Sequence, residues 1–459
     1  MRKLRKMGVP LLAAVPACIW LACALPLCVQ AQKPPPANDP ISPHFEILPS
    51  LVVPSLLQAP EPLPPPTQEL SLDRLIAEVL ARNPSLAQMQ AAWQAASARI
   101  RQVTSLEDPM VGGSYAPGIL GSRELNGGWR VDVAQKFPFP GKLQLRGQEA
   151  ALGAEAAFSD VDDVRLQLIE ATRNAFYDYF LVERLLAVNG ENLRLLKEFK
   201  QNAETRYKTG LAPPQDVLQA EVELGRQQER QLELGQMQKV ARAVIKRLLH
   251  ESQDAPLAAP PPKLTPPGTI PPVQGLRQQA VARRPDVQAL SQRLAAAETA
   301  LALAFKDYRP DMELMAAYDS FWQERPLRTM VGVRINLPVY RGRRHAAVYE
   351  AQAKIAQRRA ELDRLIDQIN FQVQEAHAQL ERNKRTVELY EKTILRAAEE
   401  NVKSAQSAYV NGKVPFLSLI EAQRSYVMLR ERYYESLAAA LRSQATLDRV
   451  VGVPGLSKE

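Results

Sequence analysis

The chain has 459 residues, 46% hydrophobic by type and 24% charged, with three cysteines, four histidines and a formal net charge of +8. All three cysteines (Cys18, Cys23, Cys28) fall within the first 31 residues, so the remainder can build neither a disulfide framework nor a thiolate site. Arg2, Lys3, Arg5 and Lys6 lie there too; without those four the charge falls to +4, and no dense Lys/Arg patch interleaved with aromatics remains, which argues against nucleic acid as a partner.

In chain order, the basic head is followed by an apolar run from Val9 to Val29 and the small-residue pattern Val29-Gln30-Ala31. This reads as a secretory signal peptide over 1–31, and Pro10, Pro16 and Pro26 make the run a poor spanning helix. The residues before each cysteine fit a lipidation pattern poorly. A proline-rich N-terminal segment, 32–69, should be extended or disordered, because repeated proline removes backbone donors and fixes φ.

From Leu70 a first unit runs to 254. Arg82-Asn83-Pro84 opens a helix that closes at Asp108-Pro109. Two strands are predicted next, over about 109–117 and 127–138. In the second, Trp129, Val131, Val133 and Phe137 alternate with Arg130, Asp132, Ala134 and Lys136, the period of a half-buried strand. Lys142 to Thr209 then holds no proline for 68 residues. As one helix it would reach roughly 100 Å, longer than a compact domain accommodates. Val161, Val164, Leu168, Ala171, Ala175, Val182, Leu185, Leu196, Phe199 and Ala203 make a 3,4 coiled-coil stripe along it, interrupted by Asp178, Asn189 and Asn192. A turn at about 207–214 leads into a further helix. A second proline-rich stretch, 255–272, links to the rest.

The second unit, 273–459, says much the same again about 201 residues later. Arg283-Arg284-Pro285 and Arg309-Pro310 repeat the earlier helix boundaries, and FPFPGK (Phe137 to Lys142) has its counterpart in LPVYRGR (Leu337 to Arg343). Strands are predicted at about 310–321 and 328–339, where Met312, Leu314, Ala316, Tyr318 alternate with Glu313, Met315, Ala317, Asp319, and Val331, Val333, Ile335, Leu337 with Gly332, Arg334, Asn336. Arg343 to Asn411 is again free of proline, with a stripe through Leu380, Val387, Tyr390, Ile394, Ala397 and Ala408 and a four-residue step near Ile369 and Val373. RYKTG (Arg206 to Gly210) returns as AYVNG (Ala408 to Gly412), with a tip turn at about 409–415. Four landmarks in one order mean two equivalent units built around one object. The strands fit a soluble sandwich or an outer-membrane barrel. Four strands cannot close a sheet, and lipid tolerates no open edge, so a barrel requires several chains; three copies would supply twelve strands.

Catalysis finds no support. His44, His250, His345 and His377 are scattered, with no i,i+4 pair, and no phosphate-cradling glycine loop or G-x-S-x-G element occurs. No enzyme activity, cofactor or metal is expected.

These residues, from Leu70 to about Val451, resemble TolC-type outer-membrane factors of bacterial tripartite efflux systems. The resemblance rests on the RNP and RRPD starts, the prolines at 109 and 310, the FPFPGK and LPVYRGR exits, and the tip turns RYKTGLAPPQDVLQAE and AYVNGKVPFLSLIEAQ, in order. It implies a mainly α chain with a membrane β-barrel portion: an internally duplicated protomer of long coiled-coil helices plus four strands, whose homotrimer forms a 12-stranded barrel in outer-membrane lipid on a helical tunnel through the periplasm. It implies a passive exit duct, partnered by a periplasmic adaptor protein and an inner-membrane transporter of the RND type. The matching entrance or gate positions are Asp216, Tyr409 and Glu421; Ser418 stands where relatives often carry aspartate. The adaptor-contact tips are Thr209, Gly210, Leu211 and Ala212, and Asn411, Gly412, Lys413 and Val414. FPFPGK looks like the exit of heavy-metal efflux relatives. A duct for type I protein secretion and a soluble periplasmic coiled-coil scaffold are the alternatives.

Overall fold

A computed structural model describes residues 69–116, 127–322 and 324–453, all within the compact unit Pro60–Glu459. The expected leader, its cysteines, most of the proline-rich 32–69 segment and position 117 of the first expected strand lie outside the described residues.

The first half of the unit runs α1 (Leu72–Arg82), α2 (Pro84–Thr104), β1 (Met110–Ala116), β2 (Gly128–Phe137), α3 (Lys142–Lys208) and α4 (Pro214–Leu248). The second half repeats that order: α5 (Val273–Arg283), α6 (Pro285–Lys306), β3 (Met312–Asp319), β4 (Thr329–Ile335), α7 (Arg341–Leu389), α8 (Leu395–Val410) and α9 (Phe416–Val451). Proline stands in the first turn of α2 and α6, where its missing N–H costs nothing and its fixed φ suits the helix. α3 holds 67 residues, about 100 Å of continuous helix. It packs against α1, α2, α4, α6 and α9 along different stretches, so its buried face shifts along its length.

Two apolar clusters at mid-length repeat one another. Leu75 and Val79 of α1 pack with Ala175 and Tyr179 of α3 and with Ile245, Leu248 and Leu249. Leu276 and Ala280 of α5 pack in the same way with Ala376 and Leu380 of α7 and with Leu447, Val450 and Val451. The offset between the halves is 201 through Leu380 but 202 across α4 and α9. The extra residue falls at Tyr390–Ile394, a single π-helical turn between α7 and α8. Such a turn absorbs an insertion locally, so the helix below keeps its facing.

Each cluster is closed by a side chain reaching across the helices. Asn83 accepts the Ser85 N–H at 3.0 Å, which caps α2, and donates from Nδ2 to the Leu248 carbonyl at 2.9 Å. Its counterpart Arg284 donates from Nη1 to the Val450 carbonyl at 3.4 Å.

The strands form one antiparallel sheet in the order β1-β2-β3-β4. Val111 faces Val133, Val133 faces Ala316 and Ala316 faces Val331, so apolar residues share one side across all four strands. Arg130, Asp132, Lys136, Glu313 and Arg334 fall on the other. Burial corrects the stripes read from sequence. Ala171 and Ala397 are exposed, whereas Asn189 and Asn192, expected to interrupt the seam, are interior to it.

Asn83→Ala removes a cap and a cross-helix bond. It should cost about 1–2 kcal/mol, seen as faster amide exchange at the end of α4; Arg284→Ala should do the same at the end of α9.

Candidate functional site

Two regions, at opposite ends of the long helices, carry unusual surfaces. At the first, the sheet leaves its apolar side uncovered: Val331 is 83% exposed, and Trp129, Val131, Val133, Leu314 and Val333 are exposed beside it. Trp129 stacks on Tyr318 at 5.1 Å between ring centroids, near the end of the sheet farthest from the helices. The opposite side is polar and paired. Arg334 bonds Glu313 at 2.8 Å and Lys136 bonds Glu107 at 3.2 Å.

The join between sheet and helices is locked by one buried lysine. Lys142 Nζ donates to Asp311 Oδ1 at 2.9 Å and to the Arg309 carbonyl at 3.2 Å, and lies 3.3 Å from the Asp307 carboxylate. The same Asp311 oxygen accepts the Phe139 N–H at 2.8 Å. The start of α3 is thereby tied to the start of β3, fixing the sheet's tilt on its helical stem.

At the far end are the two tips. Gly210 and Gly412 have φ of +75° and +69°, the left-handed region where a Cβ is strained, and each ends its helix. Leu211 N–H bonds the Arg206 carbonyl at 2.8 Å and Gly210 N–H the Tyr207 carbonyl at 3.0 Å; Lys413 and Gly412 repeat this with Ala408 and Tyr409. Thr209 donates its hydroxyl to the Thr205 carbonyl, and Asn411 its amide to the Ser407 carbonyl. Ala212 is half-buried and Val414 packs on the apolar cluster beneath. Pro213 and Pro415 stand at the N-caps of α4 and α9.

Of the three polar positions expected near the tip, the fold joins two. The Tyr409 hydroxyl lies 3.4 Å from Asp216 Oδ2. Partial burial pushes the Asp216 carboxyl above the usual carboxylate range, while the Tyr409 hydroxyl and the Arg206 charge oppose it. Burial and the Asp216 charge likewise raise the Tyr409 phenol. Glu421 is separate: exposed on α9, it makes no hydrogen bond or ion pair among the described residues.

Sequence reasoning missed the residues that hold this corner. Arg206 lies over the Tyr409 ring at 5.0 Å and donates to the Val410 carbonyl at 3.0 Å, bridging the two tips. Phe416, 1% exposed, packs 5.2 Å from the Tyr409 ring and closes a cluster with Leu196, Phe199, Leu419 and Ile420. Higher on α4 and α9, buried Glu223 is paired with both Arg226 and Arg424. An arginine and an aromatic within the two tip motifs were the available signal. Among the described residues, no group of His, Cys, Asp or Glu is arranged to hold a metal, and no helix is long and apolar enough to cross a membrane.

The family described as "Outer membrane efflux protein" matches the chain over residues 75–250 and 276–453, once in each half. Among solved structures, CusC, described for its folding and transmembrane channel formation, superposes with a TM-score of 0.73 at 18% identity, covering 84% of this chain and 93% of CusC. The outer membrane protein VceC of Vibrio cholerae gives 0.70 at 20% identity over 83% of this chain and 96% of its own. The MtrE outer membrane channel of Neisseria gonorrhoeae, solved open, gives 0.70 at 17% over 84% and 90%. At these identities the likeness speaks for the fold. No curated protein matches the sequence.

Phe416→Ala should cost the tip about 3–5 kcal/mol, and Gly412→Ala about 1 kcal/mol through its positive φ. Both should appear as faster amide exchange across 405–425, with the mid-length clusters unchanged.

Proposed function

This chain belongs to the outer membrane efflux protein family and resides in the outer membrane with its helices extending into the periplasm, and from that premise we propose that it is the passive exit duct of a tripartite efflux assembly. The observation that carries the reading is the sheet: one face, apart from Gln135 and Thr329, is apolar and largely exposed, and β1 and β4 are edges. In hydrocarbon an unpaired backbone group costs several kcal/mol, so such a sheet is stable in lipid only when closed. Three copies joined β4 to β1 give a twelve-stranded barrel with apolar residues toward lipid and the Arg, Lys, Asp and Glu residues toward a wet lumen. The helices continue this ring as a tunnel.

The chain supplies no energy and no chemistry to its cargo. Transport is driven by an inner-membrane transporter of the RND type and passed through a periplasmic adaptor seated on the tips, Thr209 to Ala212 and Asn411 to Val414. Asp216, Tyr409 and Arg206 latch one tip helix to the other and form the resting gate. Glu421 contributes three symmetry-related carboxylates to the mouth, which raise local cation concentration. The exit sequence Phe137 to Lys142 resembles that of heavy-metal efflux relatives, which makes metal ions one candidate cargo beside antibiotics and solvents.

Electron microscopy of the detergent-purified protein, with its particle mass, should give a threefold cylinder with a helical tunnel of roughly 100 Å. A soluble monomer without a barrel would overturn the duct. In planar bilayers, Glu421→Ala should weaken cation block severalfold, and unchanged conductance and selectivity would remove Glu421 from the gate. Tyr409→Phe combined with Asp216→Ala should raise resting conductance, the sign of a released latch.

A further inference from the structure

Inside one chain, α3 touches α1, α2, α4, α6 and α9. Three of these contacts recur around its repeat partner α7: α5 stands for α1, α6 for α2 and α9 for α4. The other two, α3 with α6 and α3 with α9, would map to α7 with α2 and α7 with α4. Within the chain α7 packs on neither. The face of α7 that should receive them is uncovered, and Phe371 on it is 65% exposed. A second copy of this chain is the occupant with the right helices at the right height.

The offsets fix which residues meet. On α3, Glu170 accepts from Thr446 at 2.7 Å and pairs with Arg449 at 2.5 Å; Arg173 pairs with Asp448 at 2.6 Å; and Asp178 pairs with Arg442. Moving α3 by 201 and α9 by 202, as the matched clusters require, turns these into Phe371 against Val244 and Arg247, Gln374 against Lys246, and Gln379 against Val240. Every ion pair is lost. Arg247 is exposed and Val240 53% exposed, whereas Val244 is half-buried against the cluster of its own chain and Lys246 is buried on the Gln253 carbonyl, so the receiving surface on α4 is open at Arg247 and Val240. A guanidinium facing an aromatic ring and a valine replaces the carboxylate pair.

We propose that the seam between copies is the quasi-equivalent of the α3–α9 seam with its chemistry changed, anchored by Phe371 of one copy on Val244 and Arg247 of the next. The inference rests on the multi-copy duct reading above, and it says which residues close the ring and by what force. A seam held by apolar and cation–π contact should resist salt better than the ion-paired seam inside each protomer.

The test uses the full-length protein in detergent. Phe371→Cys with Val244→Cys should join chains under a short bis-maleimide, giving dimers and trimers on a denaturing gel at several times the yield of the parent chain, whose only cysteines are those of the leader. Glu170→Cys with Thr446→Cys, the equivalent pair within one chain, should stay at monomer size. Monomer alone from the first pair, in particles of trimer mass, overturns the seam and leaves the duct standing. Parent protein that never reaches trimer mass overturns both. As a second route, Phe371→Glu should keep the trimer by recreating the Glu170–Arg449 pair. Adding Arg247→Glu should then cut the trimer fraction at least tenfold; no loss overturns the proposal.

Discussion

Backbone amides and carbonyls along the outer edges of β1 and β4 set the terms for the rest of the molecule. A four-stranded sheet in water can leave its edges to solvent, but one that carries Val331, Val133 and Leu314 on an uncovered face into lipid must have its edges paired. Under the duct reading proposed above, the chain completes its architecture by joining copies. Its internal duplication suits this need, because each half supplies two neighbouring strands and a pair of long helices. The buried Lys142–Asp311 clamp transmits that geometry downward, since it ties the first turn of α3 to the strand that follows in the sheet.

Equivalence between the halves is close where packing is tight and loose where it is not. Leu75, Val79 and Ala175 have apolar counterparts at an offset of 201, and the α4 and α9 ends correspond at 202. The π-helical turn at Tyr390–Ile394 reconciles the two numbers and keeps both tips facing alike. Polar positions diverge instead. Asn83 and Arg284 satisfy the same helix-end carbonyl by different side chains, which preserves the bond while freeing the residue to vary.

Much of this was legible in the sequence for stated reasons. Helix starts were marked by proline after Asn83 and Arg284, strands by strict alternation around Val131 and Val331, and tips by glycine. The interior of α3 was less legible. A single 3,4 stripe assumes one partner, whereas α3 has several, so Phe176, Tyr179 and Phe180 are fully buried off the stripe and Ala171 is exposed on it. Asn189 and Asn192 looked like breaks because sequence reports polarity and not pairing; they are interior because Gln231 and Gln423 meet them. At the tip, Tyr409 and Asp216 come together, but Arg206 over Tyr409 and Phe416 against Leu196 and Phe199 depend on contacts across some two hundred residues that no local pattern announces.

The two tips share one backbone and differ in their side chains. After the left-handed glycine, one presents Leu211, 68% exposed, and the other the ammonium of Lys413. In the trimer proposed above, six tips would alternate in the residue after the glycine, three with leucine and three with lysine, whereas two residues before the glycine Lys208 and the exposed Val410 reverse that order. A partner ring of identical subunits would meet two kinds of seat in strict alternation, so it must tolerate both with one surface or settle into a threefold pattern of its own.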